Sequence, residues 1–183
     1  MKKLFFVPAV AAMFFLASCG GNNSSDENTT ATEDTTTTTS TATEAPGADI
    51  PGIDSVQVTD HIQLTGNDNM RYDKTLFKVK AGQKITLDFQ NIGKQPAAAM
   101  SHNVVILQQG TDVQKFGEAA IPAASTGHIP PSMTDDVIAH TKLLGPGEKD
   151  EITFTLPDPG VYDFICSFPG HFGTMNGKIV AEK

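Results

Sequence analysis

From about residue 57 to the C-terminus, apolar and polar residues alternate in short runs. In "FKVK", Phe77 and Val79 alternate with Lys78 and Lys80. In "KITLDFQ", Ile85, Leu87 and Phe89 alternate with Thr86, Asp88 and Gln90. "EITFTL" puts Ile152, Phe154 and Leu156 on one face. A period of two over so few residues predicts strands with one buried face. Turn formers separate the runs: Ala81-Gly82, Gly145-Pro146-Gly147 and Asp158-Pro159-Gly160. The last of these joins "EITFTL" to "VYDFIC" as a hairpin. Further strands are predicted around residues 57–64, 102–108, 137–143 and 176–182. About eight strands in all predict an all-β fold, an antiparallel sandwich or barrel. Residues 109–136 break the alternation; with Pro122, Pro130 and Pro131 they read as an insertion, with a short helix near Val113 to Ala120.

The first fifty residues follow another pattern. Lys2 and Lys3 precede an apolar run from Leu4 to Leu16, too short for a comfortable membrane span and followed by small residues. Residues 1–18 therefore read as an export signal. Its end, Leu16-Ala17-Ser18-Cys19, resembles a bacterial lipobox, which implies cleavage before Cys19 and lipid on that residue. Residues 20–50, "GNNSSDENTTATEDTTTTTSTATEAPGADI", hold almost nothing to bury. Such a segment cannot offset its ordering entropy. Residues 19–50 are thus expected to be a lipidated, disordered tether with a reach of roughly 30 Å. Residues 51–183 are one domain's length.

Charge narrows the function classes. The 183-residue chain carries −8, and −10 once the two signal lysines are removed. Six of the acids lie in the tether, so the domain is near −4. No basic surface for nucleic acid is expected.

The candidate chemistry sits in "CSFPGHFGTM", residues 166–175, on a Gly/Pro-rich loop leaving a strand. By strand parity Cys166 shares the face of Tyr162 and Phe164. With Cys19 lipidated, Cys166 is the only cysteine of the domain. In an oxidising compartment it then has no disulfide partner and is an oxidation liability. A buried inert cysteine is the plain explanation. Its neighbours His171 and Met175 argue for another, because a thiolate, an imidazole and a thioether together suit copper. One more strong ligand is needed, from His61, His102, His128 or His140. His140 is mid-strand, and His61 and His128 have no companion motif. His102, in "AMSHNVVIL", begins a strand with Val104 and Ile106 on its face, which can place it beside a loop at the end of a sandwich.

The same loop resembles the type-1 blue copper proteins of the azurin kind, the cupredoxins, which carry C-T-F-P-G-H-x-x-x-M. Similar stretches are "GNDNMRYD" (residues 66–73), "AMSHNVVI" (99–106), "VIAHTKLLGPGEKDEITF" (137–154) and "GKIVAEK" at the C-terminus. The spacings match azurin and auracyanin rather than plastocyanin, whose C-to-H spacing is shorter. The resemblance covers most of residues 57–183 and implies a Greek-key cupredoxin sandwich holding one copper. By position it makes His102, Cys166 and His171 the in-plane ligands and Met175 the weak axial one. It places the Ser101 backbone carbonyl on the opposite axis, where azurin has glycine. Asn103 becomes the residue tying the ligand loops together, and amides near Asn103 and Phe168 hydrogen-bond the sulfur. Azurin's disulfide cysteines and buried tryptophan have no counterpart; Val104 follows Asn103.

The implied function is a one-electron shuttle cycling Cu(I) and Cu(II), not an enzyme. The implied partners are redox proteins such as a c-type cytochrome and a terminal reductase or oxidase. They are expected to dock on an apolar patch of Met100, Phe168, Pro169 and Phe172. The domain is expected to be monomeric, extracytoplasmic and lipid-anchored on the periplasmic side, at the outer membrane. A copper carrier or sensor is the alternative. A zinc site is disfavoured by the methionine, and a Cys–His hydrolase by the lack of an orienter and oxyanion donors.

Overall fold

The computed structural model describes residues 45–183. The expected export signal over residues 1–18, the lipidation site Cys19 and most of the expected tether lie outside the described residues. The last six residues of that tether do not: Ala48 N–H donates to the Ala45 carbonyl and Ile50 N–H to the Gly47 carbonyl. Gly47, at φ +71°, lies on Val180, and a Cβ there would come within 3.0 Å of that side chain. The fold therefore starts earlier than residue 51.

Nine strands are present among the described residues: β1 (His61–Asn67), β2 (Arg71–Tyr72), β3 (Leu76–Lys80), β4 (Lys84–Asn91), β5 (Val105–Leu107), β6 (Val137–His140), β7 (Lys149–Thr155), β8 (Gly160–Ile165) and β9 (Asn176–Glu182). Two helices accompany them, α1 (Ala97–Met100) and α2 (Val113–Ala120). The predicted helix in the insertion matches α2, which Asp112 caps by accepting from Lys115 N–H.

The strands form two sheets, ordered β2-β1-β4-β7 and β3-β9-β8-β5-β6. The sheets are mixed rather than antiparallel, because β1 pairs parallel with β4 and β3 with β9. The reason is the path of the chain. It leaves the first sheet to form β3 in the second, so β4 returns in the direction of β1; a parallel neighbour needs such a crossover. Three predicted strands have other bounds: β1 is shifted to His61–Asn67, β5 spans only Val105–Leu107, and β6 stops at His140. Residue 58 makes only an isolated bridge to Lys78 before β1 begins, and His102 makes one to Leu144 before β5.

Alternation predicts the core faces correctly. Ile62 and Leu64 of β1 and Ile85, Leu87 and Phe89 of β4 face Ile106, Tyr162, Phe164 and Ile179 of the other sheet. A second cluster lies on the outer side of the five-stranded sheet. There Val105, Leu107 and Ile165 pack under Phe116 and Ile129 of the insertion. Strand β5 is consequently buried on both faces, and the insertion covers the strands that lead into the candidate site.

Candidate metal centre

Strand β8 ends at Ile165 and delivers Cys166 into the interior, with no exposed surface. Ten residues on, the chain re-enters the sheet: Cys166 N–H donates to the Met175 carbonyl at 2.9 Å. Between them Pro169 and Gly170 form a tight turn, closed by His171 N–H donating to the Phe168 carbonyl at 3.0 Å. Proline presets the first central position, and Gly170 at φ +84° takes the left-handed second. The turn brings His171 back over the sulfur. His102 lies just before β5, whose Val105 pairs with Ile165 at the end of β8, and is held by reciprocal backbone hydrogen bonds with Leu144 at 3.0 and 2.8 Å.

Three donor atoms converge. The two imidazole Nδ1 atoms are 3.2 Å apart, and the Cys166 sulfur lies 3.9 Å from His102 Nδ1 and 3.6 Å from His171 Nδ1. The centre of that triangle is about 2.1 Å from each corner, the length of a bond from imidazole nitrogen to a transition metal. The His102 tautomer is fixed by its other nitrogen. Nε2 lies 3.0 Å from the Asn67 carbonyl, which can only accept, so Nε2 carries the proton and Nδ1 presents a lone pair inward. Met175 is fully buried beside this group. A Cβ on Gly66 would lie 2.7 Å from the Met175 methyl and 3.2 Å from the His102 ring, so both side chains pack onto this glycine.

The electrostatics fit a cation. Burial pushes the Cys166 thiol up to about 12, while the backbone amides of Asn103 and Phe168 favour its anion. Burial also lowers His171 to about 4, assisted by the facing His102. His102 is lowered by burial as well, against the opposing effects of the Asn67 carbonyl and Asp68. Without a metal the three groups are thus a neutral thiol and two neutral imidazoles, and a soft cation can replace the thiol proton. A thiolate, two imidazoles and a weak thioether fit copper.

Neighbouring polar groups fix these donors. Asn103 Oδ1 accepts from Ser167 N–H at 2.9 Å, and its Nδ2 donates to Ser167 Oγ at 2.8 Å. These bonds join the loop that carries His102 to the loop that carries Cys166. Ser101 is extended, at φ −82° and ψ 152°, a conformation that needs no glycine. Its hydroxyl donates to the Ala97 carbonyl at 2.7 Å, so the added side chain is turned toward α1.

Three supporting residues escaped the sequence reading. Asn91, fully buried at the end of β4, donates to the Met100 and Leu144 carbonyls at 3.2 and 3.0 Å. Tyr72 Oη donates to the Asn103 carbonyl at 2.6 Å. Gly66 had a signal: it takes the inward position after Ile62 and Leu64, where a large apolar residue is normal. Tyr72 lies in the family-like stretch 66–73, which gave it no role of its own, and nothing in the sequence pointed from Asn91 to the Leu144 carbonyl 53 positions away.

The remaining histidines are apart from the triangle. His61 is exposed and pairs with Asp88 at 2.7 Å. His140 is exposed at the end of β6. His128 is buried in the insertion with Nδ1 donating to the Ala120 carbonyl. Of the expected patch, Met100, Phe168 and Pro169 are half-buried, and Ala97, Ala98 and Ala99, which precede Met100 in α1, are exposed. Phe172 is also half-buried, but its ring packs against Gly117 of α2. His171 keeps 3% exposure.

Comparison with known proteins agrees with this geometry. Residues 58–182 match the family described as copper binding proteins, plastocyanin/azurin family. The outer membrane protein H.8 of Neisseria gonorrhoeae is 39% identical over 124 residues, 63% of this chain and 64% of that protein. The chain thus spans about two-thirds of the length of the H.8 proteins. Azurin of Alcaligenes faecalis is 34% identical over 122 residues, 64% of this chain and 94% of that protein. Among solved structures, the dithionite-reduced auracyanin of Roseiflexus castenholzii is 38% identical, with a TM-score of 0.63 over 69% of this chain and all of that one.

Proposed function

The chain belongs to the plastocyanin/azurin family of copper-binding proteins, and from that premise we propose that it is a one-electron shuttle rather than an enzyme. The observation that carries the reading is the closed, buried triangle of His102 Nδ1, His171 Nδ1 and Cys166 Sγ beside Met175. In this reading His102, Cys166 and His171 would hold copper, with the Met175 thioether and the Ser101 carbonyl as weaker donors. Copper so held supplies a reversible change between Cu(I) and Cu(II).

The residues around it serve that change. Asn103 and Ser167 lock the two ligand loops together, so the donors stay put when the charge changes. The Asn103 and Phe168 amides stabilise the thiolate and tune the potential. Burial of the sulfur keeps water and oxidants from it. Electrons leave through His171, the ligand nearest the surface, under the apolar patch of Met100, Phe168 and Pro169 with α1. Phe172 supports that patch from behind, against α2. The partners are redox proteins such as a c-type cytochrome and a terminal reductase or oxidase.

The N-terminal reading joins this proposal. An export signal, a lipidated Cys19 and a tether place the domain outside the cytoplasm on a lipid anchor at the outer membrane, and the similarity to proteins called outer membrane protein H.8 supports that placement.

Electron exchange tests the reading. The reduced copper protein, mixed with oxidised cytochrome c, is expected to pass one electron per copper. Ala98→Glu places a charge on the exposed patch; it should slow the exchange several-fold with the visible spectrum unchanged. Copper that binds but exchanges no electrons would instead mark a carrier or sensor.

A further inference from the structure

We propose that the insertion between β5 and β6 clamps the ligand loop from outside, and that His128 is the positioning residue through which it holds Phe168 against His171. The proposal rests on the copper reading above but concerns residues outside the ligand set.

The backbone gives the first indication. Gly127 and His128 are consecutive left-handed residues, at φ +67° and +65°. A non-glycine residue there is unfavourable, and such strain persists only where the surroundings hold it. Here they do. His128 N–H donates to the Ala123 carbonyl at 2.9 Å, and Nδ1–H to the Ala120 carbonyl at 2.9 Å. The imidazole is 7% exposed and pinned to the end of α2.

The ring then has a use. It meets Phe168 edge-on, with centroids 5.4 Å apart and planes at 72°. Phe168 in turn lies 4.8 Å from the His171 ring, tilted by 49°. Phe168 is pivotal because its carbonyl closes the turn to His171 and its amide acts on the Cys166 sulfur. A shift of Phe168 would disturb two donors together.

Two further contacts come from the same insertion. The Gly127 carbonyl accepts from Asn103 Nδ2 at 3.2 Å, and Gly117 backs the Phe172 ring. The insertion therefore touches the His102 loop once and the 166–175 loop twice. Mere cover for β5 would need only Phe116 and Ile129, which already pack on it.

The test uses the full chain and two variants. His128→Asn keeps tolerance of the left-handed backbone and a short side-chain donor, but removes the ring. His128→Gly removes strain, donor and ring together, so it folds without hindrance from the backbone. In the metal-free protein, NMR should show ring-to-ring contacts from Phe168 to His128 and to His171. Both variants should lose the Phe168–His171 contacts while amide shifts in the four-stranded sheet stay put. After copper loading, both should release Cu(I) to a chelator about tenfold faster than the parent. Unchanged Phe168–His171 contacts with release within twofold of the parent would overturn the clamp. A parent without a thiolate-to-copper colour would refute the electron-transfer reading instead, and the metal-free NMR would still decide the clamp.

Discussion

Cys166 and His171 carry the chemistry at the scale of single residues, and their protonation makes it measurable. Burial holds the Cys166 thiol near 12, so at neutral pH the metal-free protein keeps that proton. His171 and His102 are depressed and carry none on their inward nitrogens. Copper uptake at pH 7 is therefore expected to release one proton, from the sulfur. Calorimetry in buffers of different ionisation enthalpy counts it; release of none, or of two, contradicts the assignment. His171 also makes the metal-free fold sensitive to acid. Its folded value, about 4, lies below the ordinary 6.5, so as pH falls below 6.5 the unfolded chain takes a proton that the fold refuses. Stability should fall between about pH 6.5 and 4 and this contribution should then level off, at a cost of up to about 3 kcal/mol. Urea titrations across that range check it. The ligand loop was legible because Cys166, His171 and Met175 lie within one short stretch. The role of Tyr72 was not, because it depends on a hydroxyl meeting a backbone carbonyl 31 positions away.

At the scale of elements, the ends of strands matter more than their middles. Asn91 closes β4 and reaches both the Met100 and Leu144 carbonyls, while its Oδ1 takes the Gly93 amide. It thereby joins the β4 end, α1 and the bridge that holds His102. Asn91→Ala should leave these groups unpaired in a buried place, costing about 3 kcal/mol in urea denaturation. It should also speed copper loss, because His102 loses its backing; a stable variant with normal copper retention would contradict this role. Alternation in the sequence showed which side chains of β3 and β4 face inward. It could not show strand direction, since period two is the same for parallel and antiparallel partners. That is why the β1–β4 and β3–β9 pairings emerge only in the structure. Burial of β5 on both faces was equally hidden, because its outer cover comes from an insertion with no alternation of its own.

For the whole molecule, the two sheets are a frame that brings two distant loops to one end. His102 enters before β5, and Cys166, His171 and Met175 lie between β8 and β9; the insertion braces both loops from one side. The central claim is that this end holds a type-1 copper. The most direct test is the visible spectrum of the full chain, carrying Cys19→Ala so that Cys166 is the sole thiol, loaded with Cu(II) and then reduced. An intense thiolate-to-copper band is predicted, bleaching on reduction, returning on oxidation, and absent in Cys166→Ala. Bound copper with only a weak band, or a strong band that survives Cys166→Ala, would contradict it.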